Sequence, residues 1–203
     1  MKKIAAIVMT GLLILGLCAC GGQNVKESAD SAAADNTTVD NTVAVNAGSV
    51  LVVYFSNTGH TKAIAEHIAD GTGAALYEIT PETLYTDADL NYNDNNSRST
   101  VEMNNPSARP AITGTVENFG QYSTVYIGYP IWWGEAPRIL DTFVESYDFT
   151  GKTVIPFCTS ASSSIGSSAK TLESLAGTGN WKTGQRFSGS ESETDVTNWI
   201  KGL

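Results

Sequence analysis

The residues with the clearest capacity for chemistry are Ser56-Asn57-Thr58-Gly59-His60-Thr61, set between an apolar run and a helix-like run. They combine three hydroxyls, a glycine that lets a backbone approach a ligand closely, and the free N–H groups of a helix start. Such parts can hold a phosphate without a cation, and neither Lys nor Arg occurs in the loop before Lys62. The loop fits neither G-x-x-x-x-G-K-[ST] nor G-x-G-x-x-G, which counts against ATP and against a Rossmann-type NAD site. The plainer alternative is a capped helix N-terminus that binds nothing.

Two later segments could serve the same ligand. Pro130-Ile131-Trp132-Trp133-Gly134 sets adjacent tryptophans between a proline and a glycine, a rigid aromatic wall. A planar ring stacked on such a wall gains about 1 kcal/mol beyond area burial. Adjacent side chains point in different directions, so one tryptophan is expected in the core and the other at the site. The second segment, Thr159-Ser160-Ala161-Ser162-Ser163-Ser164-Ile165-Gly166, has small side chains and many backbone donors, suited to the polar edge of a ring. Other signals are weaker. Ser167 and Lys170 have S-x-x-K spacing but lack the S-D-N and K-T-G partners of a penicillin-binding site. No G-x-S-x-G elbow occurs, and His60, His67 and Cys158 cannot supply a typical zinc set. Cys158 ends an apolar run and reads as a small buried hydrophobe.

The elements that must position these loops follow from apolar periodicity. Val50–Phe55 is a continuous β-branched and aromatic run, as expected of a strand buried on both faces. Thr61–Asp70 places Ile64, Ala65, Ile68 and Ala69 on one helical face, and Gly71 is expected to end it. Further strands are predicted over Ala75–Ile79, Thr124–Gly128, Thr153–Cys158 and, briefly, Arg186–Ser188. Helices are predicted over Pro137–Tyr147 and Ser167–Leu175, with a last one containing Val196–Lys201. Alternating strands and helices predict an α/β fold with a mostly parallel sheet and helices on both faces. Pro81–Asn118 resists this scheme: it is polar, carries an Asn-rich run from Asn91 to Asn96, and shows no strong period beyond a helical turn at Thr115–Phe119.

Together the three loops resemble flavodoxins. Tyr54–Thr61 is similar to the flavodoxin phosphate loop, Gly128–Gly134 to the first flavin-contacting loop, and Thr159–Ser168 to the second. The resemblance spans nearly all of Ser49–Leu203. It implies a five-stranded doubly wound sheet of order 2-1-3-4-5 that binds FMN noncovalently. Ser56, Asn57, Thr58, Gly59, His60 and Thr61 would hold the phosphate, and Pro130, Ile131, Trp132, Trp133 and Gly134 would contact the ring. Thr159, Ser160, Ala161, Ser162, Ser163 and Gly166 would bond its pyrimidine side. The expected role is electron transfer, with an FMN-dependent NAD(P)H quinone or flavin reductase as one alternative and a flavin-free binding lipoprotein as another. The sequence departs from the family in lacking an aromatic residue in Thr159–Ser168. One flavin face is thus open, or is covered by Tyr85 or Tyr92 of the 81–118 segment.

The N-terminus sets the expected compartment. Lys2 and Lys3 precede an apolar stretch, Ile4–Leu17, shorter than the roughly 20 residues of a membrane span. Leu17-Cys18-Ala19-Cys20 resembles a bacterial lipobox, implying a signal peptide over 1–19 and lipid on Cys20. Residues 20–48 lack aromatics and read as a disordered tether, leaving 49–203 as the folded domain. The expected location is outside the cytoplasm, on the outer face of the cytoplasmic membrane or in the periplasm, with the lipid as the only membrane contact. A net charge of −9 argues against nucleic-acid partners and suits an unidentified redox protein or small electron acceptor.

Overall fold

A computed structural model describes residues 48–203, so the expected signal peptide, Cys20 and nearly all of the expected tether lie outside the described residues. In chain order the strands are β1 Ser49–Tyr54, β2 Ala75–Glu78, β3 Thr80–Pro81, β4 Ile112–Thr113, β5 Tyr122–Pro130, β6 Thr153–Thr159, β7 Asn180–Trp181 and β8 Gln185–Phe187. The helices are α1 His60–Thr72, α2 Arg98–Asn104, α3 Arg138–Glu145, α4 Ser168–Ala176 and α5 Glu193–Lys201. The main sheet runs β2-β1-β5-β6, and its last position is split between β7 and β8, which both pair with β6. Every pairing in it is parallel. This is the expected doubly wound order, with the fifth strand divided in two.

Side-chain alternation builds a core on each face. Leu51, Val53, Val125, Ile127 and Tyr129 point one way, toward Ile139, Leu140 and Phe143 of α3 and Leu172 of α4. Val52, Tyr54, Tyr126, Ile155 and Phe157 point the other way, toward Ile64, Ala65 and Ile68 of α1 and Val196 of α5. A strand buried on both faces must be apolar at every position, which is why β1 and β6 read as unbroken runs.

The 81–118 segment departs most from expectation. It is built from a two-stranded antiparallel pair, β3 with β4, and the helix α2. The helical turn expected at Thr115–Phe119 lies later, as a 3₁₀ turn at Phe119–Gln121. Apolar periodicity does not reveal α2 because its buried residues are Ser99, Thr100 and Met103. Its start is instead marked by Ser97, whose hydroxyl accepts from the Thr100 N–H. Helix α1 also outruns Gly71 and stops at Gly73, whose φ of 68° suits glycine and whose N–H reaches the Ala69 carbonyl.

Gly128 tests the sheet's close packing. A Cβ there would lie 2.1 Å from the Phe157 ring, which is fully buried and cannot swing aside. Gly128→Ala is expected to destabilise the domain by about 1–3 kcal/mol through overpacking, read as a lower denaturant midpoint. An unchanged midpoint would refute this packing.

Candidate functional site

Because β1, β5, β6 and β8 are parallel, the loops that follow them leave the same edge of the sheet. The first, 56–59, leads into α1. Gly59 occupies the N-cap with φ 87°, a conformation glycine adopts without strain, and offers no side-chain cap. Its N–H donates to the Ser56 hydroxyl at 3.2 Å, and the first intrahelical bond runs from Ala63 N–H to the Gly59 carbonyl at 3.0 Å. The N–H groups of His60, Thr61 and Lys62 therefore have no partner within the helix, at the end where the helix dipole favours an anion. The Ser56 hydroxyl, accepting from Gly59, keeps its own proton to donate. Asn57, Thr58 and His60 are exposed, whereas Thr61 is buried and bonded at 2.7 Å to the hydroxyl of Thr159. That bond ties the first loop to the third.

The second loop is a tight turn. Trp132 and Glu135 exchange backbone bonds, Trp132 N–H to Glu135 O at 2.9 Å and the reverse at 3.0 Å. The residues between them, Trp133 and Gly134, have φ of 48° and 81°. Two positive φ angles in a two-residue turn are the type I′ pattern, which favours Asn-Gly and resists a bulky side chain. Trp132 is turned into the core, 4% exposed, with its ring 5.7 Å from Phe55 and 5.3 Å from Tyr85. Trp133 is 41% exposed at the tip of the turn. Of the two tryptophans assigned to the site, then, the loop presents only Trp133. Pro130 and Ile131 are half-buried, and the Ile131 N–H donates to the Thr159 carbonyl at 3.0 Å. The Glu135 carboxylate accepts from Ser167 at 2.7 Å and so links the turn to the start of α4.

The third loop is shaped from within. The Ser160 N–H donates to Phe187 O, and the Ser160 hydroxyl donates to Ser163 O at 2.6 Å. The Arg186 guanidinium donates to the carbonyls of Ser160 and Ala161. With these carbonyls occupied, Ala161, Ser162 and Ser163 remain exposed. Gly166, at φ 54°, brings the loop close to Gly134 of the second. Arg186 was visible in the sequence only as part of a short strand, since nothing local signals a contact 25 residues away.

A fourth loop, Ser188–Glu191, adjoins the site and was not anticipated. The Glu191 carboxylate accepts from the N–H groups of Ser188, Gly189 and Ser190, and the Gly189 carbonyl accepts from His60 Nδ1 at 3.2 Å. Burial alone would raise the Glu191 pKa, but the Ser188 and Gly189 hydrogen bonds prevail and hold it at about 2. Cys158 lies fully buried in β6, its thiol pushed up to about 12 by that burial, so it is no nucleophile at neutral pH. Among the described residues no group of three or more His, Cys, Asp or Glu is placed to hold a metal.

Beside the first loop a cavity of about 210 Å³ is lined by Phe55, Ser56, Asn57, Ile79, Pro81 and Tyr85. Small-ligand pockets usually run from roughly 300 Å³ upward, so a larger ligand would lie mostly across the open loop surface. The 81–118 segment borders both. Its Tyr85 hydroxyl donates to Glu102 at 2.5 Å and the Arg98 guanidinium stacks over the Tyr85 ring, while Tyr92 stacks on Trp133.

A doubly wound parallel sheet in the order β2-β1-β5-β6, with its loops gathered at the switch point between β1 and β5, is the flavodoxin-like arrangement of α/β proteins. The chain belongs to the flavodoxin family, whose pattern it matches over residues 49–203. A candidate flavoprotein of Bacteroides eggerthii is 47% identical, with a TM-score of 0.72 over 77% of this chain and 98% of that one. One of Bacteroides uniformis is also 47% identical, with a TM-score of 0.73 over 76% and 98%. A Lactobacillus acidophilus flavoprotein, solved in complex with FMN, shares the fold at 23% identity, with a TM-score of 0.58 over 76% and 99%. No curated protein matches the chain.

Two measurements probe this site without ligand. At position 133 the backbone, not the ring, sets the difference between asparagine and alanine. Trp133→Asn is expected to be more stable than Trp133→Ala by about 1 kcal/mol, because asparagine tolerates the left-handed region; equal denaturant midpoints would exclude strain there. For Glu191, the folded-state pKa lies below the unfolded value of about 4.3, so its contribution is full above that value. It is lost as pH falls toward about 2. Glu191→Gln should therefore be less stable than the wild type at pH 7, with the gap closing between pH 4 and 2. A gap independent of pH would show that the carboxylate charge does not matter.

Proposed function

We propose that this protein binds FMN noncovalently and serves as an electron-transfer flavodoxin. The observation that carries this reading is the meeting, at one sheet edge, of an uncapped helix start, an exposed tryptophan and a loop rich in free backbone donors. The N–H groups of His60, Thr61 and Lys62, with the Ser56 and Thr58 hydroxyls, would hold the phosphate through dipoles rather than a cation. Trp133 would stack on the ring, and residues 161–163 would bond its polar edge. The Thr61 and Ser160 hydroxyls and the Trp132 ring would support the site rather than touch the ligand, since both hydroxyls already bond within or between loops and Trp132 is buried.

Bound FMN supplies the redox chemistry, as cofactors generally do; this chain's residues bind it, orient it and limit water at one of its faces. No side chain is needed as acid or base. The reductase reading is favoured by one observation: Thr159–Ser168 has no aromatic residue to cover the second ring face, which leaves room for a nicotinamide or a quinone. The domain would work outside the cytoplasm, held by lipid on Cys20 and a tether over residues 20–48. Its partner would be a redox protein or a small electron acceptor.

Titrating the purified chain with FMN, followed by flavin fluorescence and visible absorbance, tests the central claim. Saturable binding is expected, with Trp133→Ala weakening it about tenfold, the upper end of what an aromatic pair contributes. A wild-type chain that neither retains nor rebinds FMN would overturn the reading. Rapid NADH oxidation by the loaded protein would move the assignment from carrier to reductase.

A further inference from the structure

We propose that Tyr92, carried by the 81–118 segment, is a positioning residue of the ligand site: it covers one face of the Trp133 ring and leaves the opposite face to stack on the flavin. The inference deepens the FMN reading and rests on it. The two rings lie 4.5 Å apart between centroids, inclined at 39°. They are the aromatic residues among the large side chains left exposed, Tyr92 at 55% and Trp133 at 41%. An exposed pair contributes little burial energy, yet the chain constrains both members.

Trp133 is held outward by a left-handed backbone that a tryptophan resists. Tyr92 sits in the first of two consecutive Asx turns. Asn91 Oδ1 accepts from Asn93 N–H at 3.0 Å, and Asp94 Oδ1 accepts from Asn96 N–H at 2.9 Å. Ser97 then caps α2, and Ser99 of that helix donates to the Asp89 carbonyl at 2.6 Å, closing the segment around Tyr92. The Asn-rich run is therefore a shaped support, and the tyrosine it holds meets the one ring the second loop exposes. Because Thr159–Ser168 has no aromatic side chain, Trp133 is the loop aromatic available to the flavin, and its orientation matters more than in a site with two.

The test uses the full chain and FMN. Tyr92→Ala is expected to weaken FMN binding about fivefold, the size of one exposed aromatic contact, and to alter the near-ultraviolet circular dichroism of the ligand-free protein. Tyr92→Phe should restore both, because stacking needs the ring and not the hydroxyl. In a Trp133→Ala background, Tyr92→Ala should have no further effect, as a double-mutant cycle requires of residues acting through one another. If the wild type binds FMN and Tyr92→Ala binds it equally or more tightly, this inference alone falls. If the wild type does not bind FMN, the flavin reading and this inference fall together.

Discussion

The parallel pairing of β1 with β2 on one side and β5 on the other sets what the rest of the molecule can do. A parallel neighbour must be reached by a crossover, and each crossover here carries a helix back over one face. β1, β5, β6 and β8 therefore end at one edge, and the segments that follow them meet there. Thr61 and Thr159 are 98 residues apart in sequence and share a 2.7 Å hydrogen bond. Such closure of distant chain is entropically expensive. The two apolar faces that β1 and β6 bury offset it, so the site depends on core packing that lies outside it.

At that edge the structure leaves local demands unmet in a directed way. A serine or threonine N-cap would have satisfied part of the start of α1, but Gly59 stands there and leaves helix donors free. An Asn-Gly turn would have suited the second loop, but Trp133 takes the left-handed position. The tryptophan gives up on the order of 1 kcal/mol relative to the locally favoured residue, and the glycine a few tenths of that. Local rules broken together at one place are the pattern expected of a functional site. Elsewhere the same chain follows them, as in the capping box of Ser192 and Asp195 at α5.

Charge is handled with similar economy. The chain carries 12 Lys and Arg against 21 Asp and Glu, and no lysine or arginine lies within the first loop. Arg186 spends its guanidinium on the carbonyls of Ser160 and Ala161, and Arg98, Arg109 and Arg138 pair with Glu102, Glu145 and Asp141. Phosphate recognition by uncharged donors suits a neutral cradle in an acidic molecule, since it needs no cation that neighbouring carboxylates would neutralise.

The sequence by itself determined a mostly parallel sheet and the three main loops, and the strand order followed from the resemblance those loops bear to flavodoxins. A strand buried on both faces must be apolar throughout, and an amphipathic helix must repeat near 3.6 residues, so β1, β5, β6, α1 and α3 were legible within a residue or three. Local rules did not reveal α2, whose buried face is serine, threonine and methionine, nor β3, β4 and β7, each two residues long. Only the tertiary structure decided which tryptophan faces outward, because that follows from Trp132 meeting Phe55 and Tyr85. It also decided that Arg186 and Glu191 shape loops at the site and that Tyr92 rests on Trp133. Those outcomes depend on contacts between residues far apart in the chain, and no local period or spacing encodes a partner across the fold.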